Sequence, residues 1–188
     1  VAKLDPHDGA RERLAFDELL ANQLALGIVR LKMRKLPGRV ISGDGHLRAK
    51  VVAALPFALT GAQETALAEI YADMGASHRM LRLLQGDVGS GKTVVALLAM
   101  LNAVEAGAQA AMMAPTEILA RQHFATLEPL CAAAGVRLEL LTGREKGKRR
   151  ADILDALADG SIDILVGTHA LFQTEVAFRA LGVAIVDE

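Results

Sequence analysis

The stretch LLQGDVGSGKTVVALLAM, residues 83–100, joins a short apolar run to a longer one through a glycine-rich turn. Gly86 and Gly91 are separated by four residues, and Lys92 and Thr93 follow, which is the spacing of a P-loop. Such a loop binds phosphate because its backbone N–H groups surround the phosphate oxygens at the positive end of a helix. The lysine reaches the outer phosphates, and the threonine hydroxyl ligates magnesium. The stretch therefore predicts a nucleotide site between a strand and a helix.

Short apolar runs alternate with helical segments on both sides of this loop. The predicted helices start near Lys92, Thr116, Glu145 and Ala170. Strand-helix-strand units need crossover connections, so we expect an α/β fold with a mostly parallel sheet covered on both faces. Ligands on such sheets bind at the carboxyl ends of the strands. The predicted strands are residues 80–85, 110–114, 137–141, 162–167 and 183–186.

A long helix is predicted before this α/β region. Apolar residues recur at spacings of three and four within residues 10–35, which indicates an amphipathic helix with its polar face in water. Residues 39–56 contain turn-forming residues and no strong period, so they predict a connector. We therefore expect a helical linker over residues 1–56 and a P-loop domain over residues 57–188. The recurring apolar residues of the helix are Phe16, Leu19, Leu20, Leu24, Ile28 and Leu31.

The composition limits the binding partners and the cellular location that can be expected. With 188 residues and 52% hydrophobic composition the chain can bury a full core, and its net charge of −1 provides no overall attraction to nucleic acid or anionic membranes. Binding to either would need a local patch. Cys131 is the only cysteine, which excludes an internal disulfide and fits a reducing, cytoplasmic location without membrane contact. Because the chain opens on Val1 and stops just after an apolar run, we expect a piece of a longer polypeptide.

Two adjacent carboxylates, Asp187 and Glu188, follow the last predicted strand. In P-loop enzymes an aspartate at such a strand end holds magnesium, and a neighbouring glutamate can activate the attacking water. Taken alone, a pair of this kind is more often a solvated turn. The P-loop upstream in the same predicted sheet favours the catalytic interpretation.

Thr60 and Gln63 open the helix that precedes the P-loop. Their spacing fits a capping box, in which each side chain bonds the backbone N–H of the other residue. The alternative is that Gln63, which lies near Phe57 in the sequence, holds an adenine edge with its amide. The residues themselves favour the cap, and the two interpretations are compatible.

The remaining polar features are less specific. Five basic residues lie within residues 144–150, a pattern that more often marks a solvated helix start than a phosphate-contacting patch. His123 and His169 have no metal-ligand spacing to a cysteine or carboxylate cluster, so we predict no zinc site.

Six strings in this order resemble the motifs of superfamily 2 DNA helicases, and look most like the RecG family of replication-fork branch-migration helicases. A further string, ARERLAFDELLANQLAL from residue 10, is similar to the helix that joins the wedge domain of that family to its motor. The resemblance thus covers nearly the whole chain. The six strings are LPFALTGAQ, LLQGDVGSGKT, APTEILARQH, LLTG, VGTHALF and AIVDE.

The resemblance implies a RecA-like motor domain that uses ATP and Mg²⁺. By position it gives Lys92 and Glu188 catalytic roles and makes Thr93 and Asp187 the magnesium ligands. It also adds an adenine contact to the capping role of Gln63. The nucleotide-binding residues implied in this way are Phe57, Gln63, Gly86, Gly89, Ser90, Gly91, Lys92 and Thr93.

Branched or forked double-stranded DNA is the partner that the resemblance implies. Two of the matching groups, Thr142 with Gly143 and Thr168 with His169, lie at carboxyl ends of predicted strands, where a surface that tracks the DNA backbone is expected. The basic run after Gly143 becomes a stronger candidate as an extension of that surface. The DNA-contact residues implied are Pro115, Thr116, Arg121, Thr142, Gly143, Arg144, Thr168 and His169.

The family also has a second RecA-like domain with arginine fingers and an N-terminal wedge domain, and neither is among these residues. We therefore expect the chain alone to bind ATP weakly and to hydrolyse it poorly, because such arginines stabilise the transition state. A transcription-repair coupling translocase, a P-loop switch or kinase that does not act on DNA, and a nucleotide-binding scaffold without turnover stay open. A GTPase is disfavoured, since neither Asn22 nor Asn102 begins a guanine-reading Asn-Lys-x-Asp motif.

Overall fold

The computed structural model describes residues 9–187, within which helices and parallel strands alternate after an all-helical N-terminal part. The helices are α1 Gly9–Lys35, α2 His46–Ala54, α3 Gly61–Met74, α4 Lys92–Glu105, α5 Glu117–Ala134 and α6 Gly147–Ala158. The strands are β1 Gln109–Met113, β2 Leu138–Leu141, β3 Ile164–Gly167 and β4 Leu181–Val186, with a short 3-10 helix at His169–Phe172.

The four strands form one parallel sheet in the order β2-β3-β1-β4. Ala111 in β1 is paired with Leu165 in β3 on one side and with Ala184 in β4 on the other. Each connection between strands that are consecutive in the chain is a crossover, as a parallel sheet requires. The predicted α/β class with a parallel sheet is confirmed.

The carboxyl ends of all four strands meet at one edge of the sheet. Gly167, the last residue of β3, is paired with Leu141 of β2 and with Met113 of β1. Met113 is in turn paired with Val186, the last residue of β4. The segments that follow the strands therefore start side by side, at the edge where such sheets bind ligands.

Core residues cover both faces of this sheet, as predicted. Val166 lies in the larger cluster, together with Leu97 of α4 and Leu127 of α5, and all three are fully buried. Its neighbour Leu165 lies in a second cluster with Leu157 of α6. Adjacent residues of β3 thus belong to opposite layers because side chains alternate along a strand.

The prediction of a strand at residues 80–85 is wrong. These residues form no part of the sheet, and Leu81 and Leu83 are 69% and 82% exposed. Met80 lines a cleft of about 470 Å³ together with Leu181 and Val183 of β4. Among residues 9–187, no strand pairs with this apolar run, so it does not form a hydrogen-bonded ladder.

Residues 39–56, predicted as a connector, contain the helix α2, which the sequence pattern did not indicate. A residue that is distant in sequence accepts hydrogen bonds from the first N–H groups of this helix. Glu105, at the end of α4, accepts from the backbone of Leu47 at 2.8 Å and of Arg48 at 2.9 Å. Local sequence cannot reveal a cap supplied from another helix. The helix predicted near Ala170 is reduced to the 3-10 helix at His169–Phe172.

Helix α1 has the predicted position, but its apolar stripe is not covered within the described residues. Phe16, Leu19 and Leu24 are all more than half exposed. The side chain of Leu31, predicted to lie on the same stripe, is outside the described part of the structure. None of the described helices is both long enough and apolar enough to cross a membrane.

Candidate functional site

The P-loop is an exposed turn that leads directly into α4. Gly89 and Gly91 have φ angles of 81° and 80°, in the left-handed region that other residues enter only with strain. Gly91 is the N-cap of α4, and a Cβ at this position would overlap the amide of Gln63. The glycines are therefore required by the backbone, and the loop places its N–H groups at the positive end of a helix, where phosphate binds.

Lys92, the first residue of α4, lies across this loop. Its Nζ donates to the carbonyl oxygens of Gly86 at 2.7 Å and Asp87 at 2.9 Å. Both partners are neutral carbonyls, so a phosphate oxygen would be a stronger, charge-assisted acceptor for the same ammonium group. Thr93 follows on the first turn of α4 and is half-buried.

The predicted capping box at the start of α3 is present. Thr60 Oγ1 accepts from the Gln63 backbone at 3.3 Å, and Gln63 Oε1 accepts from the Thr60 backbone at 2.9 Å. The amide group of Gln63 also donates to the carbonyl of Ser90 in the P-loop at 2.9 Å. One side chain therefore joins the helix start to the phosphate loop. Phe57 is 51% exposed, and its adenine contact stays a prediction.

Asp187 directly follows β4 and is joined to two other elements. Its backbone N–H donates to Met113 of β1 at 2.8 Å, and its Oδ2 accepts from His123 Nε2 of α5 at 2.6 Å. No local pattern predicts this role for His123, because the two residues are 64 positions apart in the chain. Glu188, the predicted water-activating residue, lies outside the described residues.

The predicted DNA-contact residues lie along the same carboxyl edge, as expected from the motif positions. Pro115, Thr116, Gly143 and His169 follow three neighbouring strands and are exposed. Arg121 projects from α5 and is also exposed. These residues are therefore accessible to a macromolecule lying across the edge of the sheet.

Two threonines of this group are buried. Thr142 donates its backbone N–H and its hydroxyl to Glu145, both at 2.6 Å, and is fully buried. Burial alone would raise the pKa of Glu145, but the hydrogen bonds from Thr142 and the charge of Arg121 outweigh it and lower the pKa. Thr168 is 4% exposed. Both threonines shape their loops, while their exposed neighbours form the surface.

Acidic partners neutralise much of the basic run. Arg144 pairs with Glu117 at 2.9 Å, and Arg121 pairs with the same carboxylate at 2.8 Å. Arg149 and Arg150 also have acidic partners, Glu139 and Glu175 respectively. The exposed positive surface is consequently smaller than the sequence suggests, and DNA phosphates would have to compete with these carboxylates.

A separate cluster of possible metal ligands does not form a second site. Asp44, His46 and Glu105 bring ligand atoms within 4.8 Å of one another. Both carboxylate oxygens of Glu105 already accept N–H groups, from Leu47, Arg48 and the glycine at position 45. Its lone pairs are therefore used to hold α2.

Comparison with models of known protein families identifies the family of this chain. The model of the DEAD/DEAH box helicase matches residues 60–188, which include the capping box, the P-loop and the strand-end loops. The chain belongs to the DEAD/DEAH box helicase family. Membership implies use of a nucleotide, usually with Mg²⁺, and the oxygen donors of Thr93 and Asp187 are the ligand type that Mg²⁺ prefers.

Among helicases of this family, the chain is similar to the ATP-dependent DNA helicase RecG. It is 45% identical over 179 residues to RecG of Escherichia coli (strain K12) and 48% identical over 182 residues to RecG of Bacillus subtilis (strain 168). Each match covers 95% of this chain and 26% of the relative. The chain thus spans about a quarter of the curated relatives it matches.

A solved structure of RecG bound to a three-way DNA junction is similar to this helicase chain. The two superpose with a TM-score of 0.82 and 44% sequence identity, over 95% of this chain and 25% of the other. The helicase domain of RecG and the described residues therefore share the same fold, including the parallel sheet.

Proposed function

We propose that this chain is the ATP-binding part of a cytoplasmic helicase that moves along double-stranded DNA and remodels branched DNA such as stalled replication forks. The RecG relatives are named as ATP-dependent DNA helicases, and the solved neighbour was bound to a three-way junction. Residues 1–56 would join an upstream wedge domain to the motor, and residues 57–188 would form the first RecA-like domain. A second RecA-like domain in the same polypeptide would complete the motor.

One observation carries the proposal: the proposed metal ligand and the proposed DNA contacts share one edge of the sheet. Asp187 follows β4, and Thr116 follows the adjacent strand β1 and begins the helix that carries Arg121. Helix α4, which starts at the P-loop, packs against both strands. A change at the phosphate site can therefore reach the DNA-facing loops through a few rigid elements.

The roles of the individual residues follow from this arrangement. In the nucleotide-bound form, Lys92 would exchange its carbonyl partners in the loop for the outer phosphates, and Gln63 would position the adenine beside Phe57. Thr93 and Asp187 would hold Mg²⁺, which neutralises phosphate charge. Glu188 would polarise the attacking water. Closure against the second motor domain and its release would then change the grip on the DNA backbone in each cycle.

ATP hydrolysis by the natural polypeptide that carries this chain tests the proposal. Rates are measured without DNA, with linear duplex and with a three-way junction at equal total base pairs. We expect the junction to stimulate hydrolysis most. Equal stimulation by both DNAs would favour a general duplex translocase of the transcription-repair coupling type. No response to either DNA would contradict a DNA motor.

The 188-residue chain alone provides a second test. Since phosphoryl transfer depends on arginines that the second RecA-like domain would supply, we expect the chain alone to hydrolyse ATP more slowly than the natural polypeptide by a factor of about a thousand or more. Fast hydrolysis by the chain alone, stimulated by DNA, would contradict the proposed division of the motor.

A further inference from the structure

We propose that His123 is a positioning residue that fixes the carboxylate of Asp187 and links the proposed magnesium site to the DNA-facing helix α5. His123 Nε2 lies 2.6 Å from Asp187 Oδ2, which makes this the direct contact between α5 and the residue after β4. The inference deepens the proposed function and rests on it, since it takes Asp187 as a metal ligand.

The geometry restricts the aspartate side chain. Because a carboxylate oxygen only accepts, the Nε2–H group of His123 donates the hydrogen bond to Oδ2. The His123 side chain is 14% exposed and that of Asp187 32%, so the imidazole is largely shielded from water and the carboxylate is partly exposed. With Oδ2 held by the imidazole and the backbone held by Met113, the other oxygen has a fixed direction and can serve a metal.

Hydrogen bonds of this kind commonly tune metal ligands. A residue that bonds a metal-binding side chain orients it and lowers the entropy lost on metal binding, and loss of such a partner typically weakens metal affinity about 10-fold to 100-fold. In this chain the orienting residue is not on the strand that carries the ligand. It lies on a different element, the helix that follows β1.

That helix also carries the proposed DNA contacts. Helix α5 has Thr116 as its N-cap, and Arg121 lies on it two residues before His123. A shift of α5 caused by phosphates at Arg121 would move the imidazole relative to Asp187. The pair therefore provides a short physical path of two side chains by which DNA occupancy can alter magnesium binding.

Magnesium-dependent nucleotide binding tests the role of His123 in the natural polypeptide. The variants are His123→Leu, which removes the donor, and His123→Gln, whose amide nitrogen can take the place of Nε2. Glu128→Gln, on the exposed side of the same helix, is the matched control. The Kd of a fluorescent ATP analogue is measured over a range of Mg²⁺ concentrations and in EDTA, and the Tm of each variant is recorded without nucleotide.

Mg²⁺ is expected to tighten binding of the ATP analogue, and His123→Leu should raise the Mg²⁺ concentration that gives half of this effect by about 10-fold. The Kd in EDTA should stay unchanged. His123→Gln should recover most of the loss, and Glu128→Gln should match the parent. If His123 were only structural, His123→Leu would instead lower Tm and weaken nucleotide binding equally with and without Mg²⁺, or it would change neither quantity. Either result would overturn the inference, and so would failure of glutamine to rescue at normal Tm.

Asp187→Ala separates this inference from the proposed function. If Asp187→Ala abolishes the magnesium dependence while His123→Leu leaves it unchanged, the positioning role of His123 is wrong but the assignment of Asp187 as a metal ligand stands. If Asp187→Ala itself has no effect on magnesium dependence, the proposed metal assignment fails. Three-way junction DNA added to the parent should also shift the magnesium requirement, and this shift should disappear in His123→Leu.

Discussion

Glu105 accepts the Nε–H of Arg48 at 2.8 Å, and this ion pair joins the end of the P-loop helix to the start of α2. The Glu105 side chain is fully buried, and it also accepts backbone N–H groups of Gly45 and Leu47. The guanidinium of Arg48 lies 4.3 Å from the centre of the Tyr71 ring on α3. Three helices thus meet at one charged pair.

Removing this carboxylate should destabilise the fold. Glu105→Ala leaves Arg48 and several N–H groups without an acceptor, and breaking one partner of a buried pair typically costs about 3 to 5 kcal/mol. For a chain of this size that corresponds to a fall in Tm of roughly 6 to 20 °C. Thermal unfolding followed by circular dichroism measures it, with Glu128→Ala as an exposed control. A fall no larger than that of the control would show that α2 is held by apolar contacts alone.

Gln63 serves two functions that different substitutions can separate. In Gln63→Glu a carboxylate oxygen can still accept from the Thr60 backbone, as in ordinary capping boxes, but the amide donor to Ser90 is lost. We expect Gln63→Glu to keep Tm within about 2 °C and to weaken ATP binding about 10-fold, which equals about 1.4 kcal/mol. Gln63→Ala should lose both properties. Normal ATP affinity in Gln63→Glu would mean that the residue is a helix cap only.

Lys92→Ala should abolish nucleotide binding with little loss of stability. The Nζ of Lys92 bonds only the exposed P-loop carbonyls at Gly86 and Asp87, so its removal leaves no buried group without a partner. Equilibrium titration with a fluorescent ATP analogue and a Tm measurement without nucleotide give the two quantities. Lys50→Ala, at an exposed position of α2, is the control. A large loss of Tm in Lys92→Ala would assign the lysine a structural role instead.

Arg121→Ala should weaken DNA binding without changing ATP affinity. Loss of one phosphate contact lowers the slope of log K against log salt by about one, at every DNA sequence. Fluorescence anisotropy at several salt concentrations gives that slope. Arg82→Ala is the matched control, because Arg82 also pairs with two carboxylates, Glu69 and Asp73, but belongs to none of the segments that follow the strands. Equal slopes of log K against log salt for the two variants would show that Arg121 does not contact DNA phosphates.

Protonation of Glu145, which holds the loop after β2, should lower the stability of the fold. Since the pKa of Glu145 is lower in the fold than in the unfolded chain, its ionised form stabilises the fold above the unfolded value of about 4.5. This contribution is lost as the pH falls through the lower, folded value. Urea unfolding of the parent and of Glu145→Gln should therefore show a constant difference in stability from about pH 7 to pH 5, which then shrinks in stronger acid. A difference independent of pH would contradict the sign of the shift.

Local patterns were sufficient for much of the fold. The helix start at Lys92, the Thr60 capping box and four of the five predicted strands are confirmed because each depends on neighbours in sequence: glycines that permit a turn, a side chain that caps three residues ahead, and apolar residues that alternate with helices. Motif order also placed the residues after β1, β2 and β3 at one edge, since parallel strands end on the same side.

Contacts between distant residues decided the rest. Residues 80–85 have the composition of a strand but no neighbour to pair with, and α2 depends on a cap from Glu105. The burial of Thr168 and the bond between His123 and Asp187 likewise arise from packing of separate elements. The sequence by itself determined the chemistry that each segment can perform and the local structure it prefers. Only the tertiary structure decided which polar groups meet, because hydrogen bonds between elements depend on positions that no local pattern encodes.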